Sequence, residues 1–185
     1  MSRPRERIIS TAMVLFHQQG YNSTGINQII EEANVSKASF YQHFKSKDDL
    51  CIEFFNKRFD YWISELEKFT SDAQTIGEKL IKSFDFLIYM NEKEDFRGCS
   101  FLNIMSEIPT DKTEIHDVIR DHKGKLRNSF SKDLKNDILA DHIYLLFESS
   151  ILTSQLYRSN ELIEKSKLIL KDLLQSSLQN REANI

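Results

Sequence analysis

The chain has 185 residues, 40% hydrophobic and 29% charged, with a net charge of −3, a balance typical of a surface-charged helical protein. Its length is enough for one large or two modest domains with a substantial core. With five glycines and two prolines it has few turn-forming residues, which argues against sheets with many tight turns and favours an all-helical fold.

The sequence gives no sign of export or membrane insertion. Residues 1–10 contain three arginines but no apolar segment, so we expect no secretory signal. No stretch approaches the roughly 20 apolar residues of a membrane span. Cys51 and Cys99 form neither a CxxC pair nor a disulfide framework. We therefore expect a cytoplasmic protein.

The first predicted helix begins at Pro4, a residue favoured in a first helical turn, and ends at Gln19 before Gly20. Residues at helical spacing form its inner face: Ile8, Ala12, Leu15, Phe16 and Gln19. Arg3 and Arg5, at its start, either reach DNA phosphates or the minor groove, or belong to an ordinary solvated basic end.

Two short helices joined by a tight turn are predicted next. Apolar residues recur at the spacing of one buried face in the first of them: Ile26, Ile29, Ile30 and Ala33. The hydroxyl of Thr24 is expected to cap this helix. Asn34 then interrupts the pattern, and asparagine tolerates the left-handed backbone that such a turn usually needs.

The second short helix has the surface of a DNA-reading element. Ser36 is its expected cap, and Val35, Phe40 and Phe44 are expected to point inward. The outward side chains include no carboxylate: Lys37, Ser39, Gln42, His43 and, at the flank, Tyr41. Phosphates and base edges require such a face, so a helix-turn-helix is favoured over an ordinary solvated helix. Residues 1–47 carry a net charge of +3 and the remainder −6, which agrees with a DNA-binding module on an acidic body.

Residues 35–50, VSKASFYQHFKSKDDL, resemble the signature of TetR-family transcriptional regulators, and the resemblance extends back through Gly20 and Tyr21 to Ile8. The shared features are a valine-serine opening, a Tyr-x-His-Phe centre and a Lys-x-x-Leu that begins the next helix. Asn34, where glycine is common, and Ile30, where a small residue is common, depart from the pattern.

The resemblance implies an all-α fold of about nine helices. Residues 1–47 would form a three-helix helix-turn-helix DNA-binding domain, and residues 48–185 a helical domain for ligand binding and dimerisation. The residues expected to read or grip double-stranded DNA are Thr24, Ser36, Lys37, Ser39, Tyr41, Gln42, His43 and Lys47, with Thr24 and Lys47 on phosphates.

A long helix over residues 47–69 follows, and it carries more aromatic residues than one buried stripe needs. We expect its first half to pack on the DNA-binding domain and its second half on the other domain, so that the boundary lies inside a rigid element. Further helices are predicted over residues 75–91, 99–107, 112–131, 138–157 and 162–179.

The last two predicted helices are apolar on more than one face and must be covered on more than one face. A terminal helix pair that meets its copy across a two-fold axis would provide this cover, and in TetR-like proteins the corresponding pair forms the dimer interface. The expected interface residues are Ile143, Phe147, Ile151, Leu170 and Leu174. The alternative is that both helices are interior. A two-fold dimer predicts a pseudo-palindromic operator.

The second domain is expected to hold a small-molecule cavity with aromatic and methionine walls, which are equally what a plain core would contain. The candidate ligand-binding residues are Phe59, Trp62, Phe84, Ile88, Cys99, Phe101, Met105, Tyr144, Phe147 and Ile151. No cofactor and no metal site are expected, and the sequence does not identify the ligand.

Residues 97–103, RGCSFLN, resemble a Gly-Cys-x-x-x-Asn motif found in a subset of TetR-like regulators. A thiol at a helix start with Arg97 nearby would favour the thiolate and suit a sensor of oxidants or electrophiles. The alternative is a structural cysteine at a tight helix start, where Gly98 lets the chain turn.

An enzyme is the rival class. The five histidines are scattered, and no HExxH, phosphate-binding glycine loop or G-x-S-x-G motif is present. A metal-sensing regulator would need ligands that the spacing does not reveal. The sequence therefore favours a dimeric regulator, a repressor that a small molecule releases from its operator. A Cys99-based redox regulator of the same fold, and then an all-α enzyme, are the alternatives.

Overall fold

The computed structural model describes residues 3–132, 134 and 136–182, with side chains up to Ser177. These residues form nine α-helices and no strand. The helices are α1 (Pro4–Gln19), α2 (Ile26–Glu32), α3 (Lys37–His43), α4 (Lys47–Thr70), α5 (Ile76–Lys93), α6 (Ser100–Met105), α7 (Thr113–Lys132), α8 (Asp137–Tyr157) and α9 (Glu161–Glu182). The predicted all-α class is confirmed, and no helix end given above from sequence differs by more than three residues.

The chain divides into two compact units, and the division falls inside α4. Unit 1 contains the residues up to Trp62 together with Cys99–Lys123, and unit 2 contains Ile63–Gly98 together with the residues from Gly124 onward. These units are defined by how the residues pack. The predicted boundary after Lys47 separates a DNA-binding domain from a domain for ligand binding and dimerisation, and it stays a prediction.

Unit 1 is built around an aromatic core. Phe16 meets Phe54 edge-on with ring centroids 5.5 Å apart, and Phe55 stacks on Phe101 at 4.9 Å. Phe40 is fully buried in the same cluster. The helix-turn-helix thus rests on α1, on the first half of α4 and on α6, which fixes its orientation within the unit.

Unit 2 packs α5, α8 and α9 together through apolar and small polar residues. Phe147 is fully buried and meets Phe84 at 5.3 Å and Phe130 at 5.2 Å between ring centroids. The hydroxyl of Ser150 donates to Ser166 Oγ at 3.0 Å, so α8 and α9 approach closely at that point.

The loop from α5 to α6 has an unusual backbone. Asp95, Phe96 and Gly98 all have positive φ, at 52°, 54° and 74°. Arg158, which ends α8 in the left-handed conformation, donates from Nη2 to Asp95 Oδ1 at 2.5 Å. The φ of Gly98 favours glycine, and a Cβ there would also lie 2.1 Å from Gln155 Oε1, so the glutamine side chain would have to move.

Across the described residues, no helix is both long enough and apolar enough to cross a membrane.

Candidate nucleic-acid interface

The turn between α2 and α3 has the predicted left-handed residue, because Asn34 has φ of 49°. Arg7 of α1 holds this turn: its Nε donates to Ala33 O and its Nη2 to Asn34 O, both at 2.9 Å. The guanidinium thus satisfies carbonyls that the end of α2 leaves without helical partners. Sequence analysis did not identify this role, since the contact joins residues 26 and 27 positions apart.

The orientation of α3 is set by its aromatic residues and by its cap. Phe40 is fully buried and Phe44 nearly so, with ring centroids 6.1 Å apart. Ser36 Oγ accepts a hydrogen bond from the amide of Ser39 at 3.0 Å, which confirms the predicted cap. The guanidinium of Arg5 lies 5.5 Å from the Phe44 ring centroid.

Outside the buried aromatic face, polar side chains of α3 are exposed. Lys37, Gln42 and His43 are exposed, and their side chains make no hydrogen bond or ion pair to the described part of the chain. Tyr41 is 46% exposed, with its ring edge-on to Phe40. The predicted reading residues therefore share one surface that carries donors, acceptors and no carboxylate, although Ser39 is half-buried.

The prediction for Thr24 is wrong. Its side chain is fully buried, and its hydroxyl donates to Gly20 O at 2.7 Å. The N-cap of α2 is Gly25, one residue later. The hydroxyl that was predicted to cap α2 therefore donates to a carbonyl at the end of α1 instead. Because Thr24 is buried, its side chain is not accessible to a DNA phosphate.

Lys47 is also used inside the protein. Its Nζ donates to Tyr21 O at 3.0 Å and to Thr24 O at 3.2 Å, and it lies 3.9 Å from the centroid of the Tyr21 ring. Burial lowers the pKa of Lys47, although Asp48 partly opposes this. The ammonium group thus ties α4 to the loop between α1 and α2, and the predicted phosphate contact of Lys47 is not supported.

Asp48, at the start of α4, joins two parts of unit 1. The hydroxyl of Tyr21 donates to Asp48 Oδ1, and Lys112 Nζ donates to Asp48 Oδ2 at 2.6 Å. Burial opposes ionisation of this carboxyl, but Lys112 and Tyr21 outweigh it and hold the pKa of Asp48 below its ordinary value. Burial and the neighbouring Asp48 together raise the pKa of Tyr21 well above its usual range.

Glu107, just after α6, makes a second tie to the same loop. Its Oε2 accepts a hydrogen bond from the amide of Asn22 at 2.7 Å, and its carbonyl accepts one from Asn22 Nδ2 at 3.2 Å. A Cβ on Gly20 would lie 2.1 Å from Glu107 Oε1. The segment between α6 and α7 is therefore fastened at two points, through Glu107 to the loop between α1 and α2 and through Lys112 to the start of α4.

The predicted ligand-binding residues are divided between the two units. Unit 1 holds Phe59, Trp62, Cys99, Phe101 and Met105, and unit 2 holds Phe84, Ile88, Tyr144, Phe147 and Ile151. Phe84 and Phe147 are fully buried against each other and pack as core residues, and their role as cavity wall stays a prediction. Spacing on a helix identifies an apolar face but does not tell a packed face from a cavity wall.

Unit 2 contains a pocket of about 110 Å³ between α4, α5 and α7. Its walls are Ile63, Leu66, Glu67, Thr70, Ile76, Lys79, Leu80, Ser83, Ser129 and Phe130, none of them a predicted wall residue. Thr70 and Ser83 are both largely buried, and each hydroxyl donates to a carbonyl of its own helix. Both hydroxyl oxygens can therefore still accept a hydrogen bond from a bound molecule.

The two cysteines have different environments. Cys51 is fully buried, and burial raises the pKa of its thiol far above the ordinary value. Cys99 occupies the N-cap position of α6, half-buried against the core of unit 1, and its side chain makes no capping hydrogen bond. Among the described residues, no group of three or more His, Cys, Asp or Glu side chains is placed to hold a metal ion.

The prediction of the dimer interface is wrong for three of its five residues, which are internal to unit 2. Ile143, Phe147 and Leu170 are fully buried within unit 2, so they cannot contact a second chain, and Ile151 and Leu174 are half-buried. The exposed apolar residues on these helices are Ile138, Leu145, Leu152, Leu156, Tyr157, Leu168 and Ile169. The sequence shows that α8 and α9 each have more than one apolar face, but it does not determine which of these faces is buried within the chain.

Residues 8–54 match the sequence profile described as "Bacterial regulatory proteins, tetR family". The HTH-type transcriptional repressor DhaR from Mycobacterium sp. (strain GP1) is 22% identical over 193 residues, which cover 95% of this chain and 94% of that protein. The negative regulator of the biofilm operon icaADBC in Staphylococcus epidermidis, IcaR, is 26% identical over 94% of this chain and 96% of its own.

The fold is also similar to that of solved proteins. A TetR-family transcriptional regulator from Streptomyces coelicolor superposes with a TM-score of 0.83 at 21% identity, over 94% of this chain and 95% of that one.

Proposed function

We infer that this chain is a ligand-responsive, DNA-binding transcriptional regulator of the TetR family. The observation that carries this conclusion is the exposed surface of α3. Lys37, Gln42 and His43 make no hydrogen bond to the described residues, and the helix that presents them lies within the stretch that matches the family profile. The exposed polar groups of α3 can donate and accept hydrogen bonds, as binding to base edges and phosphates requires.

We propose repression rather than activation, because two relatives that align along nearly their whole length are named as a repressor and a negative regulator. Two copies would bind a pseudo-palindromic operator, each with α3 in a major groove. In that arrangement Lys37, Tyr41, Gln42 and His43 contact bases and phosphates, with Ser36 and Ser39 at the start of the helix. A regulator that binds bacterial DNA acts in the cytoplasm.

We propose that a small molecule releases the DNA by favouring a state in which the two copies of α3 no longer match successive grooves. Such a ligand acts only through its different affinity for the two states. The unit 2 pocket is one site for it: the walls are mainly apolar, and Thr70 and Ser83 offer hydroxyl acceptors. Its volume of about 110 Å³ suits a molecule near the size of one aromatic ring. The helix α4 contributes residues to both units, so a change in unit 2 acts on a helix that also supports α3.

The test is selection of genomic fragments by the purified chain, followed by footprinting at low and moderate salt. We expect protection of a palindrome, with affinity that falls steeply as salt rises. Tyr41→Ala should reduce this affinity by about 5- to 150-fold, the range for losing one good base contact of about 1–3 kcal/mol. Tyr89→Ala is the matched control, because Tyr89 is 39% exposed but lies in α5 of unit 2. Sequence-indifferent binding by the unmodified chain, or equal affinity in the Tyr41 variant, would contradict the assignment.

A thiol sensor is the second candidate function, favoured by the position of Cys99. Of the two cysteines, Cys99 is the partly exposed one. It is the N-cap of α6, at the end of the loop with three positive φ values. If Cys99 is a sensor, peroxide or diamide should abolish operator binding in the unmodified chain and not in Cys99→Ser. Equal responses in both proteins would reject this candidate and leave the ligand-responsive regulator in place.

A further inference from the structure

We propose that Ala38 determines operator specificity by contacting the C5-methyl group of a thymine in each half-site. This inference rests on the proposed function, because it assumes that α3 lies in the major groove. Ala38 is exposed on α3, among the outward polar residues of that helix. The direction in which Ala38 points and the apolar chemistry of its methyl side chain both support this contact.

The direction follows from Phe40. An α-helix turns about 100° per residue, so the residues two before and two after Phe40 each lie about 160° away from it around the axis. Those residues are Ala38 and Gln42. Because Phe40 is fully buried, Ala38 and Gln42 point most directly away from unit 1's core, and both are exposed. Lys37 and His43, three residues from Phe40 on either side, lie only about 60° from it and flank the reading surface.

The chemistry of Ala38 selects one base. A methyl group cannot donate or accept a hydrogen bond. A cytosine amine or a guanine oxygen packed against it would lose its hydrogen bond to water and gain none from the protein, which is unfavourable. The thymine methyl is the apolar feature of the major-groove edge, and alanine is among the residues that pack against it. Ala38 is the second residue of α3, within the N-terminal part that reads base edges in helix-turn-helix proteins.

The position of Gln42 predicts a second base of the operator. It lies four residues after Ala38 on the same face, about 6 Å further along the axis. That spacing corresponds to about two base-pair steps of B-form DNA. Glutamine pairs in bidentate fashion with the N6 and N7 atoms of adenine. Each half-site should therefore contain a thymine under Ala38 and, within about two base pairs, an adenine under Gln42.

The experiment replaces thymine by deoxyuridine, which lacks only the C5-methyl group. The purified chain first selects its preferred duplex from a randomised pool, and each thymine of that duplex is then exchanged singly. We expect one thymine per half-site at which the exchange weakens binding about fourfold, the value for one buried methyl-sized group, or about fifteenfold when both half-sites are exchanged. The remaining thymines should show no comparable loss.

Two variants connect this loss to Ala38. In Ala38→Gly the difference in affinity between the thymine duplex and the uracil duplex should disappear. Both duplexes are measured with the same variant, so any loss of helix stability affects both affinities equally and cancels in their ratio. Ala38→Ser keeps the helix and should also lose the preference, since its hydroxyl would lie against the methyl group. Gln42→Ala is the matched control: it should weaken binding overall and relax the adenine position, yet keep the thymine preference.

The outcomes separate this inference from the proposed function. A preferred duplex that is indifferent to uracil, or a thymine preference that persists in both Ala38 variants, overturns the role of Ala38 alone. A pool that yields no preferred duplex overturns the proposed regulator and, with it, this inference.

Discussion

The exposed leucines of α8 and α9 predict how the chain dimerises, and Leu156→Ala is the sharpest test. Leu156 is 70% exposed, and other exposed apolar residues on these helices, such as Leu152 and Leu168, accompany it. A monomeric protein rarely leaves so many large apolar side chains in water without a use for them. We therefore expect these residues, rather than Ile143 or Phe147, to lie between the two chains.

The expected loss of dimer stability follows from the exposed fraction of Leu156. Full burial of a leucine side chain contributes about 1.5–3 kcal/mol, so burying the 70% of Leu156 that is exposed contributes about 1–2 kcal/mol. A two-fold interface contains the residue twice, which gives about 2–4 kcal/mol for each dimer. Leu156→Ala removes most of this and should weaken dimerisation by about 30- to 1,000-fold.

Sedimentation velocity over a dilution series measures this change directly. The matched control is Val14→Ala, which trims an apolar residue that is 51% exposed but lies on α1 in unit 1. Ile143→Ala provides a contrast: it should reduce stability by about 2–5 kcal/mol, because Ile143 is fully buried in the core of unit 2. An unchanged dimer constant for Leu156→Ala would refute the assignment of this face.

Three further predictions concern the stability of the chain. Because the pKa of Asp48 is held below its ordinary value, the carboxylate stabilises the fold above about pH 4, and this contribution is lost as the pH falls through the lowered pKa. In urea titrations Asp48→Asn should thus be less stable than the unmodified chain at neutral pH, with the gap closing toward pH 2; parallel pH profiles would contradict this. Gly98→Ala should cost at least about 1 kcal/mol in the same assay, because its φ is 74° and the new Cβ would meet a neighbouring glutamine. By contrast, Gly124→Ala, in α7 with nothing within 4 Å of the new Cβ, should stabilise the chain by about 1 kcal/mol.

Local patterns in the sequence were enough to predict the helices. The period of apolar residues located the helices, and Ser36 and Asn34 placed the turn between α2 and α3, because caps and left-handed residues act over a few positions. The aromatic positions in α3 also fixed which side of that helix is buried. For this reason the exposed polar surface of α3, with Tyr41 and Gln42, could be predicted from the sequence.

Only the tertiary structure decided which partner each side chain meets. Lys47 was predicted to reach phosphate, but the carbonyl groups of Tyr21 and Thr24, more than 20 residues away, hold its ammonium group. Asp48 and Lys112 meet across 64 positions. Nothing in a local pattern reports such contacts, since they depend on how the helices are stacked.

The same limit applies to the apolar helices. The sequence by itself determined that α8 and α9 are apolar on more than one face, and hence that more than one face must be covered. It did not determine that Ile143 and Leu170 are internal while Leu145 and Leu156 are exposed. The periodicity of a helix gives the angles between its side chains but not the rotation of the whole helix, and that rotation is set by the neighbours against which it packs.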